Sequence, residues 1–322
     1  MGKKKFLILR FSSIGDIVLT TPVIRAIKTQ VADSEVHFCT KKNFEAILKS
    51  NPYVDKLHLL EKDLDPLIKN LKQENFDYVI DLHKNLRTSL IKLRLGAKSR
   101  SFDKLNFEKW LYVNLKVDKM PNVHIVDRYM ETVSELGVKN DGKGLDYFIP
   151  EDDEISVESL PETHRKGYVA YAIGANHNTK KLPVHKMIEL CEKISRPVIL
   201  LGGKDDVETG EKVKAHFDSS NSPTVIFNGC GKYKLNQSSS LLKQADLVFS
   251  HDTGLMHIAS AFKKKIYSIW GNTTPQLGMY PYQTPHEILE VKGLSCRPCS
   301  KLGYPKCPLK HFKCMNDQVF DL

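Results

Sequence analysis

Ser250-His251-Asp252-Thr253-Gly254 is a polar turn set between two apolar patterns of different period. Leu247 to Phe249 reads as a strand, and Leu255, Ile258, Ala259 and Phe262 recur at helical spacing. A helix starting here leaves its first N–H groups, around Gly254 and Leu255, without intrahelical acceptors, and its dipole adds partial positive charge. Gly254 lets a ligand approach the backbone closely. The chemistry on offer is anion binding, of the phosphate kind. An ordinary strand-to-helix connection with no ligand shows the same pattern. Asp-Thr-Gly also marks aspartic proteases, but those need a second carboxylate to share a proton, and the helix after Gly254 does not suit their all-β fold.

A second cluster is made of thiols. Cys296, Cys299, Cys307 and Cys314 crowd the end of the chain, beginning with a C-x2-C step. In a cytosolic chain such spacing favours a structural zinc over disulfides, although the second half departs from C-x2-C and unliganded thiols fit too. Cys39 and Cys191 sit in apolar patterns as small hydrophobes. Asp63-Leu64-Asp65 imitates the D-x-D of metal-dependent sugar transfer, but it precedes a helix and reads as capping charge.

The elements that position these residues alternate regularly. Strands are expected at Phe6–Phe11, Val36–Thr40, Lys56–Leu60 and Tyr78–Leu82, with helices between them at Asn43–Lys49 and Leu64–Asn75 and one following at Leu86–Leu95. A helix is also expected after Ser12–Asp16, kinked or begun at Pro22 with Thr21 as cap, and another over Ile125–Leu136, stopped by Gly137. Pro150, Pro161 and the acidic run 151–154 mark a linker between 140 and 166. Alternation resumes with strands at Tyr168–Ile173, Val198–Leu201, Thr224–Phe227, Leu247–Phe249 and Ile266–Trp270. Parallel sheets follow, because parallel strands need crossovers. The expected organisation is two Rossmann-like α/β domains, residues 1–150 and 151–322. Ligands of open parallel sheets bind beyond the carboxyl ends of the strands, where the loops after Phe11, Ile173, Leu201, Phe227 and Phe249 lie.

At 322 residues, 41% hydrophobic and 27% charged, the composition is that of a soluble globular protein with room for two cores. No apolar run approaches the roughly 20 residues that span a bilayer. The opening Met-Gly-Lys-Lys-Lys and its short apolar run lack a cleavage site and read as a first strand, so the expected location is the cytoplasm. The net charge of +10 is uneven: residues 84–119 hold ten Lys or Arg against three acids. That is either a solvated face or a surface for anionic glycolipid or an anionic leaflet, which would place the chain peripherally on the inner membrane. No nucleic-acid-binding signature accompanies it, so no nucleic-acid partner is expected.

Three segments in order, Arg10-Phe11-Ser12-Ser13-Ile14-Gly15-Asp16, Lys180-Lys181-Leu182-Pro183 and Asp252-Thr253-Gly254-Leu255-Met256-His257, resemble glycosyltransferase family nine, the ADP-heptose:lipopolysaccharide heptosyltransferases. The resemblance implies a GT-B fold, with two Rossmann-like domains facing across a cleft, the acceptor on the N-terminal half and the donor on the C-terminal half. It implies inverting transfer from a nucleotide diphosphate sugar, most simply ADP-heptose, to a lipopolysaccharide inner-core or related anionic glycolipid, without a catalytic metal. Asp16 matches the family's base, although its position also suits a helix cap. Lys180, with Thr179 beside it, matches the donor-phosphate lysine, and Lys181 is the alternate. Leu182 stands where the family carries an aromatic. Gly254 and Leu255, with Thr253 nearby, would hold the phosphates. His257 would join them or satisfy a buried backbone group, and Asp252 would cap the helix or bond a sugar hydroxyl. Asp205, with Asp206 or Glu208 as alternates, would take the ribose and Tyr233 the base. Ser13, Gly15, His83 and Arg87 would face the acceptor, where the Arg87 fork suits a carboxylate or phosphate.

Other readings stay open on the residues: a different nucleotide sugar, a sugar-nucleotide epimerase, or a non-catalytic nucleotide-sugar or glycolipid binder. A dinucleotide dehydrogenase is disfavoured because Ser12–Asp16 lacks G-x-G-x-x-G.

Overall fold

A computed structural model describes residues 3–220 and 222–322. They form two compact units, one holding the described residues up to Lys104 together with Val123–Phe148, the other holding Leu105–Asn122 and Ile149–Leu322.

The first unit is a five-stranded parallel sheet in the order β3-β2-β1-β4-β5, built from β1 (Lys4–Leu9), β2 (Ser34–Lys41), β3 (Lys56–Leu60), β4 (Tyr78–Asp81) and β5 (Lys98–Ser101). Phe6 to Leu9 of the central strand are fully buried, as expected where both faces of a parallel sheet are covered. Its helices are α1 (Ile14–Val18), α2 (Thr21–Gln30), α3 (Leu64–Gln73) and α4 (Leu86–Leu95); α5 (Asn106–Trp110) groups with the second unit, and α6 (Ile125–Met130) returns to the first. The chain breaks between α1 and α2, with Pro22 in the first turn of α2 and Thr20, rather than Thr21, as its N-cap. Both threonines work at this break, their hydroxyls donating to the carbonyls of Ile17 and Val18 at 2.7 Å. The stripe from Ile125 is α-helical only to Met130 and tightens to a 3₁₀ helix over Glu131–Leu136. Likewise Lys42–Ile47 is a 3₁₀ turn.

The second unit is a six-stranded parallel sheet in the order β11-β10-β9-β6-β7-β8, from β6 (Val169–Ala172), β7 (Val198–Leu201), β8 (Ile226–Asn228), β9 (Leu247–His251), β10 (Ile266–Trp270) and β11 (His286–Glu290). Its remaining helices are α7 (Val184–Ile194), α8 (Val207–Asp218), α9 (Leu235–Gln244), α10 (Gly254–Ala261) and α11 (Lys313–Asn316). The α7 stripe packs on the sheet, with Met187 and Cys191 in a core that also holds Tyr171, Leu200, Phe249 and Met315.

The polar stretch expected to be a linker is held on both sides. Arg25, buried in α2, takes Asp141 at 2.7 Å and also pairs with Asp146. The Arg25 hydrogen bonds, outweighing partial burial, hold the Asp141 carboxyl down at about 2. Beyond the change of unit, Asp153 accepts from Asn236 at 2.9 Å and Glu154 from Ser240 at 2.8 Å, both partners on α9.

Candidate active-site residues

In the first unit, Arg10 stands just past the end of β1 and organises the candidate base. Its NH2 group meets Asp16 Oδ1 at 2.5 Å, Nε donates to Ser12 O at 2.8 Å, and NH1 donates to Leu82 O at 2.5 Å and to the Tyr129 hydroxyl at 3.0 Å. Burial pushes the Arg10 guanidinium down, but Asp16 and Tyr129 outweigh it and its pKa is raised. The other Asp16 oxygen accepts from the Ser13 N–H at 3.1 Å and from the Ser13 hydroxyl at 2.7 Å. Asp16 is thus a helix-capping residue and an oriented carboxylate at once. Gly15 is buried within α1.

His83 follows β4, its ring edge against Phe11 at a centroid separation of 5.4 Å. Its backbone N–H is fixed by Asp81, which also pairs with Lys92 at 3.0 Å. Burial first, then the charges of Arg10 and Lys104, hold the His83 imidazole down at about 4, so it is neutral at physiological pH. Its Nδ1 is buried without a hydrogen-bond partner among the described residues. Arg87, in the first turn of α4, is exposed.

In the second unit, the turn 252–254 has the expected strand–turn–helix form. Thr253 is the N-cap of α10, but its hydroxyl makes no cap bond and is buried with no partner among the described residues. Lys180 Nζ reaches over this turn to Asp252 Oδ2 at 2.5 Å, and the Thr273 hydroxyl donates to the same oxygen at 2.9 Å. Asp252 is therefore neutralised rather than left to repel an anion. His257 is buried on α10.

His251, to which the sequence reading assigned no role, joins three segments. Its Nε2 accepts from the Leu182 N–H at 3.0 Å, and Nδ1 faces Ile173 O at 3.1 Å. Those partners fix the tautomer, with the proton on Nδ1. Burial holds the ring down at about 4, in keeping with a neutral imidazole.

Asp206, rather than Asp205, is the engaged carboxylate after β7. It accepts from the Gly203 N–H at 2.9 Å and from Lys181 at 2.7 Å, while Asp205 is exposed. A Cβ on Gly174 would lie 2.5 Å from an Asp206 oxygen, which is why a glycine stands two residues past the end of β6. Tyr233 is half-buried, its ring close over Gly229. Thr179 is turned to the tail: its hydroxyl accepts from the Tyr304 N–H at 2.8 Å and donates to Tyr304 O at 3.1 Å.

Cys296, Cys299, Cys307 and Cys314 line one small cavity together with Thr179, Asn272, His311 and Phe312. All four are free thiols, and both polar atoms of the buried Asn272 amide lack partners among the described residues. The thiols share this cavity, but no three of their sulfurs lie within 4.8 Å of one another.

Among known proteins, the family described as glycosyltransferase family 9 (heptosyltransferase) matches residues 65–309. With two parallel α/β sheets of this topology, the protein is a glycosyltransferase of the GT-B fold class. The chain belongs to glycosyltransferase family 9. It is 25% identical over 295 residues to lipopolysaccharide heptosyltransferase 1 of Campylobacter coli, covering 84% of each chain. Its fold is similar to that of the glycosyl transferase family 9 protein of Veillonella parvula, with TM-score 0.73 and 20% identity over 90% of this chain and 86% of that one. It is also similar to E. coli heptosyltransferase WaaC solved with ADP-2-deoxy-2-fluoro heptose, with TM-score 0.66 and 19% identity over 93% and 96% of the two chains.

Proposed function

We propose that this glycosyltransferase moves a heptose from ADP-heptose to an inner-core lipopolysaccharide or related glycolipid acceptor, inverting the anomeric carbon without a metal in the chemical step. The acceptor hydroxyl oxygen bonds to the anomeric carbon as the bond from that carbon to the β-phosphate oxygen breaks. The bonding pair leaves with ADP, and Asp16 takes the hydroxyl proton. A positioned base of this kind gives ~10²–10⁴-fold in rate. Charge developing on the diphosphate is taken up by Lys180, the Thr253 hydroxyl and the Gly254 and Leu255 N–H groups, with His257 behind them. In this reading Lys180 transfers from Asp252 to the phosphate, and Asp252 keeps Thr273. Asp205 takes the ribose and Tyr233 the base, while Ser13, Gly15, His83 and Arg87 face the acceptor.

The observation that carries the reading is the start of α10: an unpartnered buried hydroxyl and a helix N-terminus, with a lysine already held over them. A relative named as a lipopolysaccharide heptosyltransferase and a similar fold solved with an ADP-heptose analogue support the choice of sugar and base. Competition binding with ADP, UDP, GDP and their sugars tests it. ADP-heptose and ADP should bind tightest, and a preference for UDP would overturn the heptose assignment.

Two further parts belong to this reading. The four tail thiols hold a structural zinc; metal analysis before and after chelation should find one thiolate-bound ion per chain, and none would remove it. The helical stretch 106–115 has no buried residue; Phe107, Trp110 and Leu115 on it are 67, 52 and 56% exposed and stand among Lys109, Lys116 and Lys119. Apolar side chains interleaved with lysine suit peripheral contact with an anionic leaflet. Co-sedimentation with phosphatidylglycerol vesicles should weaken in a Phe107→Ser/Trp110→Ser variant; unchanged binding contradicts the contact. Among the described residues, no helix is long and apolar enough to cross a membrane.

A further inference from the structure

His37 on β2 and His58 on β3 are buried side by side at the β3 edge of the first sheet, in the layer beneath α3. Leu7, Cys39, Leu71 and Phe76 belong to the apolar core of this unit. Phe76 presents its ring to both imidazoles, at centroid separations of 5.1 and 6.1 Å. His37 Nδ1 and His58 Nε2 lie 3.0 Å apart. Glu74, just past the end of α3, completes a set of three donor atoms within 4.8 Å of one another. Among the described residues, no other group of three His, Cys, Asp or Glu side chains meets that separation.

A fourth residue decides what this set is suited to bind. His37 Nε2 faces Glu35 Oε1 at 2.8 Å. A nitrogen in that position must carry the proton, because a bare one would face a carboxylate lone pair. In the neutral ring Nδ1 is then the bare nitrogen, and it points at His58. Metal-ligating histidines are oriented in the same way, by an outer carboxylate that fixes the tautomer and raises the basicity of the ligating nitrogen.

We propose that His37, His58 and Glu74 form a site for a borderline divalent cation of the zinc type, with Glu35 as the residue that orients His37. Two imidazole nitrogens about 2.0–2.1 Å from a tetrahedral ion stand about 3.3 Å apart, so the pair needs to open by only a few tenths of an ångström. His58 contributes Nε2 once its proton sits on Nδ1. Two nitrogens and one carboxylate oxygen select zinc, cobalt or nickel over calcium and magnesium, which prefer all-oxygen sets. Lysines hold the acids: Lys56 meets Glu74 at 2.5 Å, and Lys5 stands 3.5 Å from Glu74 and 3.9 Å from Glu35. Lys56 is half exposed and free to swing into solvent when the ion enters. The bound ion would tie the edge strand β3 to β2 and to the end of α3, a role separate from glycosyl transfer.

The test is cobalt reconstitution of the full chain after chelation, read by absorption and thermal melting. Cobalt on the tail thiols shows a near-ultraviolet thiolate charge-transfer band, whereas cobalt on His37, His58 and Glu74 shows visible d–d bands alone. In Cys296→Ser/Cys299→Ser protein, the d–d bands and a rise in melting temperature should persist. Both should vanish in that background with His58→Gln or with Glu74→Gln, the latter a partly exposed position that keeps the test decisive if the buried change disturbs folding. Glu35→Gln should weaken cobalt binding by roughly 10–100-fold while leaving the three ligands in place. If cobalt binding and the melting shift are the same with and without Glu74→Gln, or if cobalt binds through thiols alone, the site does not exist.

Discussion

At the scale of single residues, Arg10 is the group on which the candidate base depends. Its NH2 group holds Asp16 Oδ1 while Nε and NH1 are spent on Ser12, Leu82 and Tyr129, so the carboxylate has one orientation. Arg10→Lys keeps the charge but not the fork. Steady-state kinetics of that variant should show kcat lowered by roughly 10–100-fold with the donor KM unchanged, since misplacing a reacting group by about an ångström costs on that order. A fall in folded protein with normal kcat per active site would assign Arg10 to stability alone. The sequence showed Arg10 as part of a motif but not its task. Its partners Leu82 and Tyr129 lie 72 and 119 residues away, and no local pattern announces such contacts. Asp206 and Thr179 teach the same lesson: one holds Lys181 and the Gly203 N–H, the other Tyr304, and only the fold shows these ties.

At the scale of elements, His251 ties two strand ends and one loop of the second unit together. The end of β6 and the loop before α7 both bond to its ring, 78 and 69 residues away, and β9 delivers it next to Asp252. A neutral ring is required: a second proton on Nε2 would face the Leu182 N–H. With the folded ring at about 4 and the unfolded one near 6.5, the unfolded chain binds an extra proton between those values. Stability from this group is therefore complete above about pH 6.5 and declines as pH falls toward 4, by about 3 kcal/mol if the ring stays buried. Other histidines held down by partial burial, such as His83, act in the same direction, so the comparison is with His251→Asn. Denaturant unfolding at pH 7 and pH 5 should show a smaller acid loss in that variant than in the natural chain. Equal losses would contradict the role given to His251. Most elements were legible in advance, because buried parallel strands are continuous apolar runs and the helices carry apolar stripes. The missed ones, such as β5, β11 and α5, are short and carry no long apolar run. Edge strand β5 is Lys-Ser-Arg-Ser, alternately exposed, and the α6 stripe did not reveal where α-helix gives way to 3₁₀.

At the scale of the whole molecule, two parallel sheets carry two clusters, each beyond the carboxyl ends of its strands, as ligand sites in such sheets are. Asp16, Arg10 and His83 gather on the first, and Lys180, Asp252, Thr253 and the start of α10 on the second. Family membership and the carboxylate at Asp16 together make transfer to an acceptor, rather than donor binding alone, the central claim. Transfer of heptose from ADP-heptose to a truncated lipopolysaccharide acceptor, followed by mass spectrometry in the presence of chelator, tests that claim most directly. The natural chain should form product, and Asp16→Asn, which keeps much of the capping geometry, should lower the rate by ~10²–10⁴-fold with donor binding intact. Product formation by Asp16→Asn at close to the natural rate would contradict the account.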